Sequence, residues 1–256
     1  MTAVGPFRLY FWPHRILYLG LSPDNELHQH HAAQLCVSLD RPLRYRASSG
    51  SPWLTSRGIL IPPEHPHQLD AGDTRILALY LEPESDNYPV ANSIDAVQTL
   101  DLSDESVEKL CSLVEHGVDA NAAWETCVSA LNLSPGKRRL PTGGDKRVQS
   151  VIELIRSQPS HAFTARELAQ TIHLSPSRLS HVFKKQVGIP IRRFIVWSRL
   201  RTVIRHALLG ASLTEAAHAA GFADAAHMSN AFRQMFGFAP SALFAADVPK
   251  DVIIAE

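Results

Sequence analysis

Over the first hundred residues the apolar positions come in short runs, at 35–39, 58–61 and 75–81, with Pro, Gly, Ser and Asp between them. Runs this short with turn formers at both ends predict strands of a β-sandwich or barrel. The pattern changes near residue 102. Ser103, Asp104 and Glu105 open a stretch that places Val107, Leu110, Leu113 and Val114 on one face of a helix. A second helical stretch at 120–133 carries Ala123, Trp124, Cys127, Val128 and Leu131. Each apolar stripe must be buried, either in a dimer seam or against the β domain of its own chain. Pro135, Gly136, Pro141, Gly143 and Gly144 mark a linker. Beyond it helical periodicity runs to about residue 243, in segments near 146–157, 164–172, 176–187, 190–208, 212–220 and 224–236.

Two stretches of the helical half match each other. Thr164 and Glu167 open one, and Ser212 and Glu215 open the other, each with the spacing of a capping box. Ala169 aligns with Ala217, where two helices cross closely, and His173 aligns with Gly221 at the turn. That turn needs a left-handed residue, which Gly221 adopts freely and His173 adopts under strain. After one extra residue in the second copy, Leu179, Phe183, Lys184 and Gly188 align with Met228, Phe232, Arg233 and Gly237. Each unit is a short helix, a tight turn and a longer helix, so the chain holds two helix-turn-helix units, at about 164–187 and 212–236.

Charge sharpens this picture. The chain has zero formal net charge, but residues 1–136 carry 8 Lys+Arg against 17 Asp+Glu, and residues 137–245 carry 16 against 5. Only the basic half approaches a phosphate backbone without repulsion. That half, from residue 137 onward, is expected to bind DNA alone. The apolar opening at 7–21 is interrupted by Arg8, Pro13, His14 and Arg15, too short and polar for a membrane span and without the layout of a signal peptide. Three widely spaced cysteines, Cys36, Cys111 and Cys127, fit a reducing, cytoplasmic setting.

Residues 145–243 resemble the DNA-binding domain of the AraC/XylS family of transcription regulators, through the stretches 174–188 and 217–240 and the intervening Arg199, Leu200, Ala207, Leu208 and Leu209. The resemblance implies that both recognition helices enter successive major grooves, about 34 Å apart. It puts Ser177, Arg178, Ser180 and His181 at the groove in the first unit, and Ala225, Ala226, His227, Ser229 and Asn230 in the second. Lys184, Lys185, Arg192, Arg193 and Arg233 would grip phosphates. Ala225 and Ala226 stand where long polar readers are common in the family, so readout there leans on Asn230, thymine methyl contacts or DNA shape.

The N-terminal half holds His28, His30 and Gln34 in one run and His67 after a Pro-Pro turn. On a strand, His28, His30 and Gln34 share one face. The arrangement resembles the cupin barrel and the cupin-like sensor domain of many AraC-type regulators, with Gln34 where metal-binding members have Glu. Three roles stay open for these residues: holding a divalent metal, lining an effector pocket without metal, or neither.

The expected architecture is an α+β multidomain chain. It has a cupin-like β-barrel at 1–100, linker and dimerisation helices at 101–136, a flexible linker at 137–145, an all-α double helix-turn-helix domain at 146–245 and a tail at 246–256. The expected function is effector-controlled, sequence-specific binding of double-stranded DNA, without catalysis. A homodimer, RNA polymerase as a partner and no membrane association go with that expectation. The rivals are a metal-dependent cupin enzyme fused to a DNA-binding domain and an effector-independent DNA-binding regulator.

Overall fold

The computed structural model describes residues 6–85, 96–133, 145–244, 248 and 250–255. Most of the expected linker lies outside them; Asp145, at its end, N-caps the next helix. The N-terminal domain contains β1 (Phe7–Trp12), β2 (Arg15–Leu21), β3 (Ala33–Ser38), β4 (Leu43–Arg46), β5 (Leu54–Ser56), β6 (Gly58–Ile61), β7 (Gln68–Asp70), β8 (Arg75–Leu81) and β9 (Gln98–Thr99). It also contains α1 (Asp104–Glu115) and α2 (Ala120–Ala130). The C-terminal domain contains α3 (Lys146–Ser157), α4 (Ala165–Thr171), α5 (Pro176–Val187), α6 (Ile191–Leu208), α7 (Leu213–Ala219), α8 (Ala225–Phe236) and α9 (Ser241–Phe244). A last strand, β10 (Lys250–Ile254), follows.

The strands form a seven-stranded sheet in the order β10-β1-β2-β8-β3-β6-β9 and a three-stranded sheet in the order β5-β4-β7. The expected barrel is therefore two sheets, and the larger does not close on itself. The tail expected at 246–256 contains β10, which runs parallel to β1 with Lys250 opposite Phe7. Trp12 pairs with Arg15 across a two-residue turn at Pro13 and His14, so the apolar opening is a hairpin.

Side chains alternate across the large sheet. Tyr10, Leu17, Leu19, Leu35, Leu77 and Leu79 face α1 and α2, where they enclose Leu110, Leu113, Ala123, Cys127 and Leu131. The helical stretch at 102–133 packs in the second of the two ways its sequence allows. Its apolar stripe covers the chain's own sheet, with Leu110 and Cys127 fully buried. The Arg15 guanidinium over the Trp124 ring, 3.8 Å from its centroid, closes the same layer.

The opposite face of the sheet packs on the C-terminal domain. Leu9, Ile16, Tyr18, Ile76 and Ala78 share one continuous core with Trp197, Ile204, Phe222, Phe232, Phe236 and Leu243. The first helix-turn-helix has a core of its own, with Val151, Ile152, Leu168, Phe183 and Phe194 at its centre. The two units are thus unequal: the first is self-contained and the second is built onto the sheet. Part of the core of the basic half, expected to bind DNA alone, thus comes from the N-terminal sheet.

A buried carboxylate pins the interface. Glu82, at the end of β8, accepts from Arg201 Nη1 at 2.7 Å and Trp197 Nε1 at 2.8 Å, and from Arg156. Arg156 also reaches Glu84 at 2.7 Å, and Glu84 bonds His31 at 2.7 Å. Burial alone would raise the Glu82 pKa; the Arg201 and Arg156 charges outweigh it and hold the carboxyl well below its usual range.

Candidate DNA interface and sensor site

The two helix-turn-helix units form for local reasons. Thr164 and Ser212 each accept from the backbone N–H three residues on, and Glu167 and Glu215 return the bond, completing two capping boxes. The turns pass through His173 at φ 55° and Gly221 at φ 76°. Gly221 is required twice over, because a Cβ there would sit 2.6 Å from the Ser160 carbonyl oxygen. Ser175 and Asp224 cap the recognition helices α5 and α8, which end at the left-handed Gly188 and Gly237.

On α5, Leu179, Phe183 and Val187 point inward and leave Ser177, Arg178, Ser180, His181, Lys184 and Lys185 exposed. On α8, Met228, Phe232, Met235 and Phe236 point inward. Ala226, His227, Asn230 and Arg233 are exposed, while Ala225 and Ser229 are half-buried. Arg192 is exposed on the first turn of α6. Arg193 departs from the expected phosphate role. Its guanidinium lies 3.0 Å from Glu64 and donates to the Gln29 carbonyl at 3.0 Å, so it is drawn onto the sensor domain.

The candidate sensor residues converge by a different route from the one their spacing suggests. His28 and His30 precede β3 and do not share a strand with Gln34; His28 forms an isolated bridge with His67. The ligand nitrogens of His28, His30 and His67 nonetheless lie within 4.8 Å of one another, and all three rings are buried. Burial lowers their pKa values, to about 3 for His28 and about 4 for His30 and well below the ordinary value for His67, so the rings are neutral.

Their tautomers follow from the backbone. Nδ1 of His28 faces the Glu26 carbonyl at 2.8 Å, Nδ1 of His30 faces Ala32 at 2.8 Å and Nδ1 of His67 faces His65 at 2.9 Å. A carbonyl only accepts, so each Nδ1 carries the proton and each Nε2 presents a lone pair. The Nε2 atoms of His30 and His67 lie 3.0 and 3.2 Å from Gln34 Oε1, another acceptor. Either of two arrangements relieves the conflict. The amide turns so that its NH2 donates to both rings, or a cation sits among the acceptors. Three imidazole nitrogens pinned by carbonyls behind them, plus an amide oxygen, form a donor set that fits a divalent transition metal.

Beside this cluster lies an apolar cavity of about 60 Å³, which sequence reasoning missed because its walls come from both domains. Tyr18, Ile76, Ala78 and Tyr80 of the sheet form one side, and Phe232, Phe236, Phe238 and Phe244 form the other. Phe232 and Phe236 are inward positions of α8, and period alone does not show that such a position also faces a void. Gln34 and His28 reach the cavity wall, whereas His30 and His67 do not line it.

A family model described as a helix-turn-helix domain matches residues 168–246. The Msm operon regulatory protein of Streptococcus mutans is 29% identical over 97 residues, covering 37% of this chain and 34% of that protein. The uncharacterised helix-turn-helix transcriptional regulator YijO of Escherichia coli is 33% identical over 102 residues, covering 37% and 35%. The matched segment thus spans about a third of these relatives. Among solved structures, an apo variant of ToxT from Vibrio cholerae has a TM-score of 0.63 at 10% identity, covering 90% of this chain and 97% of that one. ToxT with an unsaturated fatty acid bound has a TM-score of 0.62 at 10% identity, covering 93% and 98%. This chain therefore has the two-domain fold of ToxT, and residues 168–246 match a helix-turn-helix domain.

Proposed function

We propose that the chain is a transcription regulator that binds specific DNA sequences through α5 and α8 and answers to a small molecule held between its domains. The observation that carries this reading is the pair of exposed recognition faces fixed to one 18-residue helix, α6. At 1.5 Å per residue α6 is about 27 Å long, the scale of the spacing between successive major grooves. The exposed Arg178, Lys184, Lys185, Arg192 and Arg233 supply phosphate contacts beside the readers His181 and Asn230. The matched relatives are named as regulators, which favours a regulator over an enzyme. The fatty acid bound to ToxT supports a small-molecule effector for this fold. Among the described residues no helix is long and apolar enough to cross a membrane. The test is selection of bound duplexes from random DNA by the full-length protein, followed by a salt titration on the selected site. A recovered motif and an affinity that falls by about 0.9 log units per log of salt for each phosphate contacted support the reading. Recovery of no motif would refute it.

A second reading concerns the histidines and rests on their tautomers. His28, His30 and His67, with Gln34 as fourth donor, would hold a divalent cation such as zinc. Held there, the cation would tie the loop before β3 to the loop before β7. Metal analysis of the purified protein, alongside His30→Ala and His67→Ala, tests it. Loss of a stoichiometric metal in both variants supports the assignment, and a metal-free wild type after growth with added zinc rejects it.

A further inference from the structure

The interdomain cavity discriminates by charge and by size. Among the described residues its lining contains no Lys, Arg, Asp or Glu, and its polar contributors are Tyr18, Ser22, Asn25, His28, Gln34 and Tyr80. A carboxylate entering it would lose water and gain no counter-ion among the lining residues. The cavity is also small. A protein cavity of about 150 Å³ is known to hold benzene, and this one has about 60 Å³, so any organic molecule must part its walls.

The walls differ in strength. On one side Leu9, Ile16, Tyr18, Ile76, Ala78 and Tyr80 sit on β1, β2 and β8, which are laddered to one another by backbone hydrogen bonds. On the other side the aromatics of α8 and α9 are held by side-chain packing and, among the described residues, by one backbone bond to the sheet domain, from Glu26 N–H to the Gly237 carbonyl at 2.8 Å. The helical wall is thus the less tightly held of the two. It belongs to the second helix-turn-helix, whereas no residue of α3, α4 or α5 lines the cavity. Building on the reading of α8 as a DNA reader, we propose that the cavity takes an uncharged, apolar molecule, and that its entry moves α8 while leaving α5 in place.

The probes are 1-octanol and octanoate, equal in chain length and different in charge at pH 8. Each is titrated into the full-length protein, as purified and after EDTA. Hydrogen exchange is followed in 176–187 and 225–244, and DNA affinity is followed on the selected site. The expected result is saturable octanol binding, octanoate at least tenfold weaker in both metal states, and altered exchange in 225–244 with none in 176–187. Ala78→Leu and Ile76→Phe fill the cavity by two routes, and whichever of them folds should lose octanol binding. The proposal is overturned by octanoate binding within threefold of octanol in either metal state. It is equally overturned by exchange changes shared by both helices, or by a folded filled variant that still binds octanol. If octanol behaves as expected and no DNA is bound, the ligand assignment stands and the DNA reading fails.

Discussion

The carbonyl of Gly237, the left-handed cap of α8, accepts the backbone N–H of Glu26 at 2.8 Å, two residues before His28. A Cβ at Gly237 would lie 2.6 Å from both the Glu26 carbonyl oxygen and His28 Nδ1. At Gly188, which caps α5 at φ 90°, a Cβ would meet nothing within 4 Å. Gly188→Ala should therefore cost only the left-handed strain, about 1–2 kcal/mol. Gly237→Ala should cost more and shift the His28 loop. Chemical denaturation of both variants, with metal content measured in parallel, checks the contrast. Equal losses would mean that the α8 cap and the histidine loop do not touch in solution.

Glu82 is the second point where the domains are joined. Glu82→Gln removes the charge facing buried Arg201, and removing one partner of a buried ion pair typically costs about 3–5 kcal/mol. The pH dependence has a definite sign. A carboxyl with a depressed folded-state pKa contributes its stability in full above the ordinary carboxylate range, and loses it as pH falls through the folded value. Wild-type stability should thus decline on acidification below about pH 4.5, the ordinary Glu value. The variant should show a shallower acid limb in urea denaturation measured across pH.

For DNA readout, His181→Ala and Asn230→Ala should change the motif recovered from random sequence, since base contacts discriminate by ~1–3 kcal/mol each. Lys185→Ala should weaken all sequences alike and lower the salt slope by about 0.9. Arg193→Ala should leave the slope unchanged while the domains are docked, because its guanidinium faces Glu64. A drop in slope for Arg193→Ala would show that this side chain leaves the sensor domain when DNA binds.

The unequal cores predict how a fragment behaves. Expressed alone, 145–256 should keep protected amides in α3, α4 and α5, whose core is complete, and lose protection in α8. In that fragment Trp197, Phe232 and Phe236 lose the sheet residues Tyr18, Ile76 and Ala78 that now share their core. Hydrogen exchange by mass spectrometry reads both halves in one experiment. Uniform protection would show the second unit to be as autonomous as the first.

The features legible in the sequence are those set by local chemistry. The capping boxes at Thr164 and Ser212, the left-handed turns at His173 and Gly221 and the inward faces of α5 and α8 each depend on residues a few positions apart. The β1–β2 hairpin left no period to read, because β1 and β2 are buried on both faces. Glu82 and Arg201 are 119 positions apart, so no local pattern announces their pairing. The same holds for Arg193, whose helical position suggests a phosphate and whose partner, Glu64, comes from the other domain. The histidines converge although their expected shared strand is absent, because the bridge between His28 and His67 does what strand alternation was expected to do.

The return of β10 to the edge of β1 changes what kind of domain the helix-turn-helix region is. Both ends of the helical region are anchored in one sheet-rich body, on the α2 side and again through Lys250–Ile254. If the docking face opens, the helical region stays within reach of it, because both of its ends remain joined to that body. Opening and closing are then first-order events, independent of how much protein is present. A weak ligand in the interface suffices to tilt a balance that no dilution disturbs.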